Sequence, residues 1–560
     1  MFKNIVYYFF LFSLLIPNIL LSITEPLTPL GALTNVVLPG GIIYLLLSLS
    51  PRLGRSIGLV FPLLFFAAFQ IVLLDLYGWS VIAVDMFLNL VTTNSSEVGE
   101  LLGNLLPVIS LVVILYVPSL IIASIFIHRK VRLSTFFLRK NFRVASVISL
   151  AGLGLLICSF STPATYSLSN DLYPVNVGYN IYLAIDRTAR TAAYHESSAS
   201  FTYGAESMHP QEQRELYLLV VGETSRADNW QLLGYNRPTT PRLVARHDII
   251  AAPRAYSESN TTHKSVPMLL SPVDATSFDS DIYRVKSVVT AFKEAGFSTA
   301  FLSNQRYNHS FIDFFAFESD TTIFIKELDT IGNTFDVNQK PDSELLPVID
   351  RIIAQGNPKQ LIVIHTYGSH FNYLDRYSDE DCHFTPCDYD VADAKNRQEL
   401  INAYDNTIVA TDRFLSECIG RLEKIPYAST GLLYSSDHGE DIFDNGSSHF
   451  LHASPRPSIQ QVHVPFLVWV SKSYRTAYPE NYSRLHVNME RLVSTSRSFT
   501  PTALDMAGIK VSDDAISDTT ASLLSPVYKA RKPLYLNDHN TAVRLREILY
   551  QRFSCDDASA

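Results

Sequence analysis

Leu216-Tyr-Leu-Leu-Val-Val-Gly222-Glu223-Thr-Ser-Arg-Ala-Asp-Asn229 decides how the second half of this chain is read. An apolar run, Leu216–Val221, halts at Gly222, and a carboxylate follows at once. A run without polar alternation fits a strand covered on both faces, as in a parallel sheet. Open α/β sheets gather their chemistry beyond the carboxyl ends of such strands. Gly431-Leu-Leu-Tyr-Ser-Ser-Asp437-His438-Gly-Glu440 repeats the plan, and its strand-like run ends in two metal-ligand side chains. Between them lies Thr261-Thr262-His263-Lys264-Ser265-Val266-Pro267. Carboxylate, hydroxyl and Asp-His together suggest a nucleophile activated by a metal.

Outward from these stretches, strand-like runs alternate with amphipathic ones, the pattern of an α/β sheet. Strands are predicted at Leu216–Val221, Thr299–Ser303, Leu361–Thr366, Gly431–Ser435 and Pro465–Val470. Helices are predicted at Val285–Ala295, Asp342–Ala354, Arg397–Leu422 and Pro501–Ala507. The catalytic domain is expected to span 215–550. A bridging segment, 161–214, precedes it, with short helices near Val175–Arg187.

Residues 1–160 read differently. Five apolar runs are long enough to cross a bilayer: Ile5–Ile23, Ala32–Leu49, Ile57–Tyr77, Leu105–Ile127 and Val144–Phe160. A cleaved signal peptide is the other reading of the first, opposed by the further spans and by the lack of a small-residue cleavage site. Pro39-Gly40-Gly41 is expected to kink the second or leave it poorly ordered. Lys3, Arg52 with Arg55, and the stretch His128–Arg143 fall at the start and in alternate loops, so these are read as cytoplasmic. Everything after residue 160 is then outside. Of 45 basic and 54 acidic residues, the first 160 hold nine and five, which leaves 36 and 49. That acidic remainder argues against nucleic acid as a partner. Cys382 and Cys387 sit five apart, close enough to pair in an oxidising compartment; Cys418 and Cys555 can pair or stay free. In one outer loop, Asn89, Thr93 and Glu97 are spaced to share a helix face, either a solvated face or a patch for a lipid headgroup.

Asp and neutral His suit zinc, and a lone Asp-His pair is otherwise a structural hydrogen-bonded couple. Glu223 is a ligand in the same reading, or a cap on the following helix. Thr262 is the attacking hydroxyl or a turn residue, with Thr261 its competitor. His370, His452 and His463 are candidates for general acid, second zinc ligand or phosphate donor, and each is equally a structural histidine by itself. Lys264 and Arg226 are read as phosphate partners or ordinary ion-pair members.

Gly222-Glu223-Thr-Ser-Arg-Ala-Asp-Asn, Gly234-Tyr235-Asn-Arg-Pro-Thr-Thr-Pro-Arg, Thr262-x-x-Ser265-Val-Pro267, Gly368-Ser-His370, Tyr404-Asp-Asn-Thr and Ser436-Asp437-His438-Gly-Glu440 together resemble the bacterial phosphoethanolamine transferases. The resemblance implies a five-helix transmembrane bundle followed by a periplasmic α/β sandwich domain of the alkaline phosphatase/sulfatase fold. It implies a zinc site at Glu223, Thr262, Asp437 and His438, with Thr262 the nucleophile that carries phosphoethanolamine. His370 and His452 match a substrate-side pair that can hold a second zinc, and Asn89, Thr93 and Glu97 match a headgroup loop. Lys264 and His463 are kept as substrate-binding candidates. Members acting on lipid A have Cys on both sides of the nucleophile; this chain has Glu258 and Met268 there. After Asn304 it also lacks their Cys pair, and only Cys382/Cys387 resembles a retained disulfide. His452 follows His438 at about two residues more than in those members.

The expected protein is a monomeric, multi-pass enzyme of a bacterial inner membrane. It takes phosphoethanolamine from phosphatidylethanolamine to lipid A, another part of lipopolysaccharide or another envelope glycan. The added amine lowers the surface potential that draws basic peptides such as polymyxin. Three rivals stand beside it. A sulfatase activity needs an Arg where Ser265-Val-Pro267-Met-Leu269 has Leu269. A lipoteichoic-acid-type polymerase takes phosphatidylglycerol instead. A sensor or binding module on a dead enzyme fold has no reason to keep Glu223, Thr262, Asp437 and His438.

Overall fold

Pro39 interrupts an apolar run without breaking it. The structure, a computed structural model, describes residues 2–25, 27–77, 82–92, 95–161, 166–328, 340–512, 518 and 520–549. Its helix α2, Pro29–Ser48, runs unbroken through Pro39. Proline at 39 cannot donate to the carbonyl of Asn35. The Asn18 amide from α1, Phe2–Thr24, donates to that carbonyl instead, at 2.9 Å, so the freed group is satisfied. The break falls in the third apolar run, where α3, Leu53–Leu59, and α4, Phe61–Tyr77, meet at 59°. Pro62 there has no N–H to offer Gly58, and the turn opens at Val60.

Further helices follow, α5 over Ser95–His128 and α6 over Thr135–Ser159. Among the described residues, four helices are long and apolar enough to cross a membrane, or five if the bent pair counts as one span. α2 and α6 pack backbone to backbone. A Cβ on Gly41 would lie 2.7 Å from the Ser149 nitrogen, and one on Gly152 2.6 Å from the Leu38 Cα. Such contacts are how helices associate in lipid, where burying apolar area gains nothing. Asn89, Thr93 and Glu97 fall outside the described residues and side chains.

By contact density the chain forms two units. One holds 1–88, 101–186 and 447–450, and the other holds 89–100, 187–446 and 451–560. The second is built on a seven-stranded sheet. In chain order its strands are β1 Glu215–Gly222, β2 Ile249–Ala251, β3 Ser298–Ser303, β4 Thr321–Phe324, β5 Lys359–His365, β6 Ser429–Ser436 and β7 Phe466–Val470. Their order across the sheet is β2-β7-β6-β1-β5-β3-β4. Only β7 runs against its neighbours. All eight residues of β1 are buried, as are all eight of β6, which is why both read as apolar runs. Val221 registers with His365, His365 with Ser303, and Gly222 with Ser436. The carboxyl ends of β6, β1, β5 and β3 therefore come level, and whatever follows them converges on one crevice.

The five expected strands form, with ends shifted by one or two residues. β2 and β4 are short edge strands with no apolar run long enough to announce them. The expected helix at Asp342 begins as a tight 3₁₀ turn before Leu346–Ile353. Arg397–Glu423 is helical throughout.

Candidate active site

Glu223 leaves β1 and Asp437 leaves β6 on adjacent strands. One ligand atom from each, with one from His438, lies within 4.8 Å of the others. All three side chains are buried. Asp437 spends Oδ1 on the backbone N–H groups of Thr224 and His438, at 3.0 and 2.7 Å, while its buried Oδ2 has no hydrogen-bond partner. His438 Nδ1 faces the Gly439 carbonyl at 2.9 Å. A carbonyl only accepts, so Nδ1 carries the proton and Nε2 turns a bare lone pair inward. An orphaned carboxylate oxygen, a second carboxylate and an imidazole lone pair form a donor set that fits a dication.

Thr262 opens the helix α8, Thr262–Leu269, whose first turn brings its hydroxyl to the cluster. Oγ1 donates toward Glu223 Oε1 at 3.1 Å and lies 3.1 Å from His438 Nε2. Thr261, the competitor, turns its hydroxyl to Ser259 at 3.2 Å.

Burial and the charge of Asp437 push the Glu223 carboxyl well above the carboxylate range. Burial lifts Asp437 to about 7. It also drives His438 down to about 4 and thus keeps it neutral. Two adjacent buried carboxyls resist ionising together, and a bound cation reverses that.

His452 lies beside His438, ring centroids 4.3 Å apart, and His370 lies 5.8 Å beyond it. His370 Nδ1 donates to the Phe371 carbonyl at 2.6 Å, and His452 Nδ1 faces Glu440 Oε2 at 3.5 Å. Both therefore turn Nε2 free. Burial holds His452 down to about 4 and His370 well below the usual range. The Tyr367 ring stacks on His370 and carries the Lys326 ammonium 3.2 Å and the Arg376 guanidinium 3.9 Å from its centroid.

Lys264, Arg226 and His463 are engaged elsewhere. The buried Lys264 ammonium donates to the Asn537 carbonyl at 3.0 Å. Arg226 pairs with Asp444 at 2.8 Å. His463 Nδ1 meets Asp228 at 2.9 Å, and its ring stacks on Tyr256. Cys382 and Cys387 are neighbours as two thiols, Sγ to Sγ 3.5 Å, rather than bonded.

Two residues at the cluster escaped the sequence reading. The Gln305 amide, just past β3, lies 2.9 Å from Glu223 Oε2, 3.1 Å from His365 Nε2 and 3.1 Å from the Thr366 carbonyl. Buried His365 ends β5, 3.9 Å from Glu223 Oε2. The registers of β1, β5 and β3 were the missing signal.

The backbone behind Glu223 is tightly held. Thr224 sits at φ +58, a strained place for a β-branched residue, costing about 1–3 kcal/mol. Tyr404 OH donates to its carbonyl at 2.7 Å and accepts from Arg226 N–H at 2.9 Å. Gly368, at φ +49, approaches so closely that a Cβ would stand 2.6 Å from the Glu223 carbonyl oxygen. Gly368→Ala is expected to destabilise the protein by about 2–4 kcal/mol, from the left-handed backbone plus the clash. Thermal unfolding would detect it, and an unchanged midpoint would refute the close approach.

A sulfatase family model matches residues 215–509. The chain belongs to that family. The phosphoethanolamine transferase EptA of Salmonella typhimurium is 31% identical over 306 residues, 53% of this chain and 54% of that protein. The chain spans about half the length of the first curated relatives it matches. Among solved structures, the lipooligosaccharide phosphoethanolamine transferase A of Neisseria meningitidis aligns with a TM-score of 0.74 at 22% identity, over 93% of this chain and 98% of that one. The C-terminal periplasmic domain of EcEptC from Escherichia coli, in complex with Zn, aligns with a TM-score of 0.55 at 22% identity, over 62% and 97%. At these identities the structural matches establish the fold: apolar N-terminal helices followed by a sulfatase-type mixed-sheet domain.

Proposed function

We propose that this chain transfers phosphoethanolamine from phosphatidylethanolamine to lipopolysaccharide or another envelope glycan, by way of Thr262. One observation carries the reading: the Thr262 hydroxyl lies 3.1 Å from both the Glu223 carboxylate and the His438 lone pair, beside the orphaned Asp437 oxygen. The names of the relatives, phosphoethanolamine and lipooligosaccharide phosphoethanolamine transferases, supply the transferred group and the acceptor class.

Glu223, Asp437 and His438 would hold zinc, the ion in the related EcEptC domain, with Thr262 beside it. Bound zinc would lower the hydroxyl pKa and draw charge from the phosphoryl oxygen. Glu223 and His438 orient the hydroxyl. The Thr262 oxygen bonds to phosphorus as the bond to the diacylglycerol oxygen breaks. The proton lost by Thr262 is matched by the one diacylglycerol gains. His370 and His452 are neutral bases nearby, and a phosphoryl anion beside them raises their pKa, so they can take up a proton and return it. In the second step the acceptor hydroxyl displaces Thr262 and restores it. We place the catalytic domain in the periplasm and the spans in the inner membrane. The added amine makes the acceptor less anionic and less attractive to basic peptides such as polymyxin.

The donor is tested by intact mass of the full-length, zinc-loaded protein in detergent. Phosphatidylethanolamine is expected to leave a phosphoethanolamine adduct, and phosphatidylglycerol none. A glycerophosphate adduct instead would move the protein to the polymerase class. No adduct from either lipid would remove the covalent route.

A further inference from the structure

The helix α7, Val175–Ala192, turns a row of apolar side chains outward. Within its first three turns, Val175 is 48% exposed, Tyr179 40%, Tyr182 62% and Ile185 65%. Gly178 is exposed between them. Spacings of three and four place these residues on one face. That ridge carries no charge; Asp186, the first charged residue of the helix, is less exposed than the ridge. A helix washed by water normally sets charged and polar residues on its outer face, and a contiguous apolar patch marks a surface that something covers.

The opposite face fixes where this helix lies in its unit. Val177 packs in one apolar cluster with Leu21, Leu73, Ile82 and Met86. Leu21 lies three residues before the end of α1, and Leu73 four before the end of α4. Asn180 donates to the Ile82 carbonyl at 2.8 Å, and Asn18 of α1 to the Tyr173 carbonyl at 2.8 Å. The helix is thus tied to the ends of two spans, at the level where a bilayer gives way to water. α6 ends at Ser159, sixteen residues before α7 begins, with Ile157 and Phe160 exposed at its end. Tyrosine suits this depth, because its ring prefers hydrocarbon and its hydroxyl prefers headgroups.

We propose that the first three turns of α7 lie in the outer headgroup layer of the membrane as an interfacial helix, with Val175, Tyr179, Tyr182 and Ile185 embedded in lipid. The occupant of the ridge is a phospholipid surface rather than a second copy of the chain.

The test uses the full-length protein in phospholipid nanodiscs doped with phosphatidylcholine carrying a photoactivatable diazirine, either beside the headgroup or at the acyl terminus. Cross-linked peptides are read by mass spectrometry. The peptide holding Tyr179–Ile185 should be labelled by the headgroup-proximal probe at least fivefold more than the peptide holding Tyr427, a side chain 97% exposed in the other unit. The acyl-terminal probe should label it less than it labels the α6 peptide holding Leu150 and Ile157. Tyr182→Asp combined with Ile185→Asp should cut the headgroup-proximal labelling at least fivefold. Unchanged labelling of the α6 peptide would show that the bundle of this variant is still formed. Labelling no greater than at Tyr427 would overturn the proposal. So would a Tyr182→Cys variant that forms disulfide-linked pairs within discs while its lipid labelling stays at the Tyr427 level, because the ridge would then face another copy.

Discussion

Thr262→Ala is expected to lower phosphoethanolamine transfer by at least about a thousandfold, the scale seen when a covalent nucleophile is deleted. The expectation rests on geometry rather than on residue type, since Thr261 is chemically identical and one position away. Thr262 Oγ1 reaches Glu223 and His438, and Thr261 Oγ1 reaches Ser259. Thr261→Ala should therefore keep most of its turnover, while Thr262→Ser, which retains a hydroxyl at the same place, should lose far less than Thr262→Ala. Glu223, Asp437 and His438 are untouched by all three changes, so each variant should still bind metal. Steady-state transfer and metal content measured on the same preparations decide the matter. Thr262→Ala turning over within tenfold of the unchanged protein, with metal bound, would mean that the acceptor attacks the lipid directly.

Much of this site could be read before the fold was known, and the reasons are local. β1 and β6 are buried on both faces, so their apolar runs stand out. Glu223 and Asp437-His438 stand directly after those runs, where a parallel sheet presents chemistry. His365 was hidden because it ends an apolar run, Leu361–Thr366, with no ligand-type neighbour. Gln305 was hidden because its nearness to Glu223 depends on β3 lying beside β5, an order set by tertiary packing. The partners of the basic residues were hidden for a related reason. Lys264 follows Thr262 by two positions, and its ammonium is held by a carbonyl 273 residues away. Two motifs that carry the resemblance act as braces. Tyr235 and Arg237 bond Asp405 at 3.1 and 2.6 Å, and Thr407 donates to Ser369 at 2.6 Å. Tyr404 supports Thr224, so Tyr404-Asp-Asn-Thr steadies the backbone around Glu223. Glu258 is buried and accepts from Ser494 Oγ at 2.6 Å and the Ala275 N–H at 2.7 Å. Hydrogen bonds hold the segment before Thr262 here.

Removing the proposed zinc is expected to abolish transfer, and its affinity should follow the two buried carboxyls. Without metal, burial holds Asp437 at about 7 and, with the charge of Asp437, Glu223 well above the carboxylate range. The metal takes the ionised forms, so protons compete with it below those values. A group with a raised pKa is protonated over a wider range of pH, and binding must expel that proton; affinity therefore falls as pH drops through about 7. Each competing proton weakens binding by about tenfold per pH unit. His438, held down to about 4, is already neutral across this window and adds no competition until well below it. Zinc titrations of the full-length protein between about pH 8 and pH 5.5 should show that slope. A ligand in hundredfold excess over Kd stabilises a fold by about 2.7 kcal/mol. The midpoint of thermal unfolding should accordingly fall on chelation at pH 8 and change much less on chelation at pH 5.5, where little zinc is bound. Affinity that stays level across this range would mean that Glu223 and Asp437 are not the ligands. Transfer that survives chelation would mean that Thr262 is activated by its protein neighbours alone.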